Sequence, residues 1–225
     1  MWSQLDASVE LIVIDGGSTD GTRVWLEAQR AQITTLIVEP DRGVYAAMNK
    51  GVAAAHGEWV LFLGADDRLA GDRVLAEAAG CVRAAAAGIG VVGGEAVFAD
   101  GRAYRFRSDT NPAARNFIHH QAAFYRRKLF TEHGGFDPAL AVMGDYDFNA
   151  RLWAHGVRFQ PISLRVATCG TGGLSDRGGW CGYREEITVR HRHFFALRCL
   201  VWDALSVARY LRKKIVRRRH HSAHD

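Results

Sequence analysis

The stretch "WVLFLGADDRL" (Trp59–Leu69) sets an apolar run against two adjacent carboxylates, Asp66 and Asp67. A short apolar run stopped by a glycine has the pattern of a buried strand. Two neighbouring Asp side chains repel each other at neutral pH. Alone, the pair fits a polar turn in which Asp67 caps the next helix. The flanking segments add more. Upstream, "VELIVID" (Val9–Asp15) is a β-branched run stopped by Gly16 and Gly17. A helical pattern follows it in "STDGTRVWLEAQRA", with Ser18, Thr19 and Asp20 offering N-cap oxygens. "ITTLIVE" (Ile33–Glu39) is a second strand, and "GVYAAMNKGVAAAHG" (Gly43–Gly57) is an Ala-rich helix with a glycine stop. Downstream, a helix starts near Asp72. "IGVVGGEAVFAD" is a further strand, paired with "GRAYRFR" in a hairpin.

Strands alternating with helices predict an α/β, doubly wound and mostly parallel sheet with flanking helices. Ligands of such sheets sit beyond the carboxyl ends of the strands. Asp15, Glu39 and the Asp66–Asp67 pair end successive strands, so acid collects on one rim. Later, "HHQAAFYRRKLFTEHGGFDP" (His119–Pro138) mixes a short strand with a helix. "GDYDFNARLWAHG" (Gly144–Gly156) reads as a helix whose acidic first turn suits the positive end of its dipole. "CGTGGLSDRGGWCG" (Cys169–Gly182) is too glycine-rich for regular structure and reads as a mobile or disordered loop.

With 225 residues the chain can bury one sizeable core. The net charge of +5 is concentrated in "RYLRKKIVRRRHH" (Arg209–His221), which leaves the body close to neutral. That excludes a protein that binds nucleic acid across a whole basic face, and no nucleic-acid partner is expected. Four scattered cysteines without a CxxC exclude a zinc knuckle. They predict reduced thiols in a cytoplasmic setting, with Cys169–Cys181 as the one pairing to consider. The first residues lack a basic segment followed by a long apolar one, so no secretory signal is expected. Phe194–Leu211 is interrupted by Arg198, Asp203 and Arg209, whereas a spanning helix needs about 20 nearly uninterrupted apolar residues. No GxGxxG follows a strand, which argues against a dinucleotide oxidoreductase.

"IDGGSTDGT" (Ile14–Thr22), "DRGVYAAMNKG" (Asp41–Gly51) and "GEWVLFLGADD" (Gly57–Asp67), in that order, resemble the family 2 glycosyltransferases. These are GT-A fold (Rossmann-like) enzymes of the kind that build exopolysaccharide, lipopolysaccharide and glycolipid sugars. The His119–Pro138 and Gly144–Gly156 segments resemble the family's acceptor side, so the likeness runs from Val9 to Arg158. It implies transfer of a sugar from a UDP-, GDP- or dTDP-sugar to a hydroxyl of a glycan or lipid-linked acceptor, with inversion. It also implies roles. Asp15 contacts the nucleotide base or ribose, Glu39 and Asp41 lie near the same edge, and Asn49 faces the nucleotide side. Asp67 ligates Mn2+ or Mg2+ directly, and Asp66 acts through water or a sugar hydroxyl. Asp145 is the catalytic base, with Asp147 as the nearby alternative. His120 and Gln121 line the acceptor cleft.

Each residue also has an ordinary reading. Asp15 starts a turn, Asn49 and Lys50 end a helix, Asp145 is a helix N-terminal charge, and Arg151 is an ion-pair partner on a helix face. His119 and His120, if extended, point to opposite faces and share no metal.

Members of the family open with one more strand and helix than the eight residues before Val9 allow, so an N-terminally truncated GT-A domain is expected over residues 1–190. Residues 191–225 are expected to form a C-terminal amphipathic, basic helix and tail. Two readings of that helix stay open: it lies in the headgroup plane of an anionic membrane, on the inner face of the cell membrane, or it packs on the domain. Truncation also leaves open a catalytically inactive relative that acts as a binding protein.

Overall fold

The computed structural model describes residues 2–6, 8–171, 173 and 179–221. Its elements are β1 (Ile12–Asp15), α1 (Thr22–Ala28), β2 (Thr35–Val38), α2 (Val44–Ala54), β3 (Trp59–Val60), β4 (Arg68–Leu69), α3 (Val74–Ala84), β5 (Ile89–Phe98) and β6 (Ala103–Arg105). Then come β7 (Ala123–Arg126), α4 (Lys128–Glu132), α5 (Gly144–Ala154), β8 (Arg158–Cys169), α6 (Trp180–His193) and α7 (Ala196–His221). The expected order of strands and helices is present. The loop expected over Cys169–Gly182 lies in part outside the described residues, at 172 and 174–178; at its ends the expectation is corrected, since Cys169 closes β8 and Trp180–Gly182 open α6. Cys169 and Cys181 are both free thiols.

The sheet is mixed rather than mostly parallel. β1 and β2 form a two-stranded parallel sheet of their own. The other strands form a six-stranded sheet in the order β3-β7-β5-β8-β4, with β6 paired to β5. Within it only β5 and β8 run parallel. A parallel neighbour needs a crossover, usually a helix. β6 instead follows β5 through a tight turn at Gly101, so it must return antiparallel.

The strand that no sequence signal marked is β8, twelve residues long and interior. Pro161 hides it, since proline lacks the N–H of a ladder and is confined to edges and bulges. Here Pro161 stands opposite Gly93, and the register shifts between Gly93 and Glu95. At the other end of the sequence, the cap of α1 is Gly21 with a positive φ of 94°, not one of the three polar residues expected there.

β5 is buried along eight of its ten residues, and its side chains alternate between two cores. Val91 joins Tyr45 of α2, Phe130 of α4, and Phe148 and Leu152 of α5 on one face. Val92 joins Val74 and Ala78 of α3 and Val166 of β8 on the other. Phe130 and Phe148 stack at 4.4 Å, and Phe136 meets both rings edge-on. Each fully buried ring of this kind contributes roughly 1.5–3 kcal/mol by area. That packing fixes α5, and with it the carboxylate at its first turn.

Candidate active site

Asp66 and Asp67 lie in the turn between β3 and β4. The Asp67 carboxylate closes that turn: Oδ2 accepts the Gly64 N–H at 2.6 Å. The Gln121 side-chain amide donates to the same oxygen at 3.1 Å, and the Gly170 N–H donates to Oδ1 at 3.3 Å. The β4–β8 ladder brings Gly170 here, since Thr168 stands opposite Arg68. A Cβ at Gly170 would meet the Asp66 carboxylate, so a larger residue there would push Asp66 aside. Asp67 is therefore buried and fixed, while Asp66 beside it is exposed. Burial, with the Asp67 charge and hydrogen bond and the Asp66 charge, pushes the Cys169 thiol up to about 12.

Asp145 opens α5. Its Oδ1 accepts the Tyr146 N–H at 2.8 Å and the Tyr45 hydroxyl at 3.3 Å. Its Oδ2 accepts from Asn116 Nδ2 at 2.9 Å and lies 3.1 Å from His120 Nδ1. Burial alone would raise this carboxyl. The His120 hydrogen bond and charge, the His119 charge and the Tyr146 N–H outweigh it and hold the group below the ordinary aspartate value. Gly144 makes the Tyr45 contact possible, because a Cβ there would lie 2.7 Å from the Tyr45 ring.

A single dipeptide joins the two carboxylates: His120 reaches Asp145 and Gln121 reaches Asp67. The segment is a 3-10 turn, His120–Ala122, not an extended strand. The expectation that His119 and His120 point to opposite faces fails for that reason. Their rings stack at 5.2 Å, 20° apart. His119 is neutral at physiological pH, since burial, reinforced by the neighbouring His120 charge, lowers its pKa to about 4. His119 Nδ1 and Gln121 Oε1 are buried with no hydrogen-bond partner among the described residues.

The other expected residues divide. Asp15 closes its own turn by accepting the Gly17 and Ser18 N–H groups at 3.0 and 2.8 Å. Its hydrogen bonds with Ser18, side chain foremost, hold its carboxyl below the usual range. Glu39 and Asp41 share Lys50, at 2.7 and 2.6 Å. These three acids share the rim of the two-stranded sheet. The Asn49 amide pairs both ways with the Phe136 backbone, at 2.8 and 2.9 Å. Asp147 does not join Asp145. It lies two residues from Asp145 and points to α6, where His193 Nε2 is 3.0 Å away and Arg192 3.3 Å. Arg151 takes the ion-pair role expected of it, 3.7 Å from Asp147.

Three residues that matter here were not singled out in the sequence. Tyr45 and Asn116 hold Asp145, and Glu185 of α6 accepts the N–H groups of Ala141, Val142 and Met143 just before α5. Tyr45 lies inside the "DRGVYAAMNKG" motif. Asn116 lies in a stretch without periodicity, and no sequence signal marks it.

Among the described residues, no group of three or more His, Cys, Asp or Glu side chains could hold a metal ion unaided. The Asp66–Asp67 oxygens nevertheless suit a hard divalent cation. Mg2+ and ions like it are bound by one or two carboxylates, with substrate phosphates and water completing the shell. Asp67, buried, preset and next to the unpartnered Gln121 Oε1, fits that pattern.

The fold agrees with the comparisons to known proteins. Residues 3–140 match the model of glycosyl transferase family 2, and the chain belongs to that family. It is 37% identical over 155 residues to a PGL/p-HBAD biosynthesis glycosyltransferase of Mycobacterium tuberculosis (strain ATCC 25177 / H37Ra). That match covers 65% of this chain and 59% of the relative's length. In fold it is similar to Staphylococcus aureus TarS 1–349, solved with UDP-GlcNAc (TM-score 0.67, 18% identity, 84% of this chain and 58% of that one). It is also similar to the mannosyltransferase PcManGT of Pyrobaculum calidifontis, solved with GDP-Man and Mn2+ (TM-score 0.57, 23% identity, 92% and 58%). The α/β GT-A fold is shared with both.

Proposed function

We propose that the chain is a metal-dependent, inverting glycosyltransferase. It moves a sugar from a nucleoside-diphosphate sugar to a hydroxyl of a glycan or lipid-linked acceptor. One observation carries this: the adjacent residues His120 and Gln121 hold Asp145 and Asp67, so an acid preset for a cation and a buried carboxylate face one short segment. Asp67, with Asp66 beside it, would hold Mn2+ or Mg2+. The cation supplies charge neutralisation for the diphosphate leaving group. Asp15, Glu39 and Asp41 would receive the nucleoside at the rim.

Asp145 and His120 would accept the proton of the attacking hydroxyl as a pair. Asn116, His120 and the Tyr146 N–H engage both oxygens of Asp145. With His120 Nδ1–H turned to Asp145, Nε2 remains for the acceptor. A single displacement from the face opposite the leaving group inverts the anomeric centre and needs no covalent nucleophile. The relative's part in glycolipid biosynthesis, by its name, supports a lipid-linked acceptor, which would bring the chain to a membrane surface. The nucleotide sugars and Mn2+ held by the structural neighbours support the donor class and the cation.

The test is Asp145→Asn. Transfer should fall about 10²–10⁴-fold, the range of general acid–base catalysis, with donor binding unchanged. Transfer at the wild-type rate would remove Asp145 from the mechanism.

A second reading has one observation in its favour. β1 and β2, whose rim carries Asp15, Glu39 and Asp41, are not hydrogen-bonded to the sheet that leads to Asp67. If the donor side is not held in register, the chain is an inactive relative that binds without turnover. A folded chain with no affinity for any nucleotide sugar would favour that reading.

A further inference from the structure

The residues of α7 are arranged inside out. Three of its polar side chains, Asp203, Ser206 and Arg209, face the protein. Asp203 pairs with Arg190 and, at 2.7 Å, with His191. Ser206 is fully buried between Arg190 and Glu186, and Arg209 meets Glu186 at 2.9 Å. Tyr210 packs on Trp180 and Tyr183. The apolar side chains face outward. Leu197, Leu200, Val201, Leu211 and Ile215 have 50–72% of their surface exposed. With Ala204 they follow the i, i+3, i+4, i+7 spacing of one helix face, a stripe ~27 Å long at 1.5 Å per residue.

A helix that only packed on the domain would show the reverse pattern, with its greasy face inward. The polar face of α7 packs on α6, as the packing reading expects, and the apolar face is left uncovered by the described residues.

Charge selects the occupant. α7 carries eight Lys and Arg against one acid, Asp203, which is turned inward. That surplus of seven exceeds the net +5 of the whole chain, so the remainder is slightly negative. The exposed Arg212 and Lys214 flank the apolar stripe on its two sides. A second copy of this helix would meet it with like charge along its basic half. A surface that is anionic outside and apolar beneath complements both properties. No helix among the described residues is long and apolar enough to cross a membrane, so the helix would lie on such a surface.

We infer that the outward stripe of α7 docks on an anionic lipid bilayer, with Leu200, Val201, Leu211 and Ile215 sunk among the acyl chains. Arg212 and Lys214 then sit at the headgroups. α7 is also tied to the acceptor side of the site. Arg190 binds the Ala113 and Ala114 carbonyls, and Asn116, two residues further on, binds Asp145. Docking rests on α7 itself. Its use, presenting a lipid-linked hydroxyl to Asp145, rests on the transferase reading.

The test is co-sedimentation of the full chain, without nucleotide sugar, with vesicles of phosphatidylcholine alone or containing phosphatidylglycerol. Anionic vesicles should bind at least about tenfold more tightly, and salt should weaken the binding. The double variant Leu200→Glu/Leu211→Glu should lose about tenfold or more while its unfolding midpoint stays at the wild-type value, because both side chains are exposed. Arg212→Glu/Lys214→Glu should lose the preference for anionic lipid. No binding to anionic vesicles, or undiminished binding by the leucine variant, would overturn the inference. So would a stable dimer that the leucine variant dissociates. Because no donor is present, failure here leaves the transferase proposal standing, and the reverse holds too.

Discussion

On the proposed donor side, Asp15 takes its hydrogen bonds from amides two and three residues away. On the proposed acceptor side, Asp145 takes three of its four from side chains 100, 29 and 25 residues away. The first carboxylate needs only a turn. The second needs most of the fold to be in place. The donor rim is thus a local device on a small parallel sheet. The acceptor side is assembled by α2, α5, α6 and the 111–122 segment together, and buried ion pairs lock it.

That contrast breaks most visibly at Arg190. Its guanidinium is fully buried and joins Glu186, Asp203, Ser206 and two carbonyls. Arg190→Met strands buried acid and should cost about 3 kcal/mol in chemical denaturation. The figure is the low end of the usual range because Glu186 keeps Arg209 and Asp203 keeps His191. The donor-side counterpart is Lys50, which bridges Glu39 and Asp41 near solvent. Lys50→Met removes a half-exposed pair with Glu39 but also leaves the covered Asp41 carboxylate without its cation, so it should lower the denaturation midpoint, by less than Arg190→Met because Lys50 itself is partly exposed. Equal losses at the two positions would erase the contrast.

A smaller effect sharpens it. Burial would raise the Glu185 carboxyl, but the Ala141, Val142 and Met143 N–H groups outweigh it and hold it below the ordinary value of 4.5. A carboxyl depressed in the folded state stabilises the fold above its unfolded pKa and loses that contribution as pH falls through the folded one. Glu185→Gln should therefore destabilise by about 1.5–3 kcal/mol at neutral pH, as expected for losing hydrogen bonds to a charged group. The gap to wild type should close below pH 4.5. A gap independent of pH would show that the charge is not what fixes the loop before α5.

The same division explains what could be read from sequence. The strand ends and their acids were legible because apolar runs, glycine stops and adjacent carboxylates are local patterns. So was the outline of α2, α5 and α7. The direction of the larger sheet was not, because pairing depends on whether a crossover or a tight turn follows each strand. β8 was hidden by Pro161, whose bulge appears only once Gly93 stands opposite. Asp145 and Asp147 could not be separated by composition. Two residues apart on α5, they face Tyr45 and His193 respectively, and only the packed helix shows which one meets the site. The hold of Asn49 on the Phe136 backbone could not be read either, because the two are 87 residues apart.

The measurement closest to the central claim is calorimetric titration of UDP-, GDP- and dTDP-sugars into the chain and into Asp67→Ala, each with and without Mn2+. One donor should bind the wild type only with the cation and should not bind Asp67→Ala under either condition. Donor binding that ignores Mn2+, or that survives Asp67→Ala at full strength, would contradict the assignment of the paired aspartates to the diphosphate.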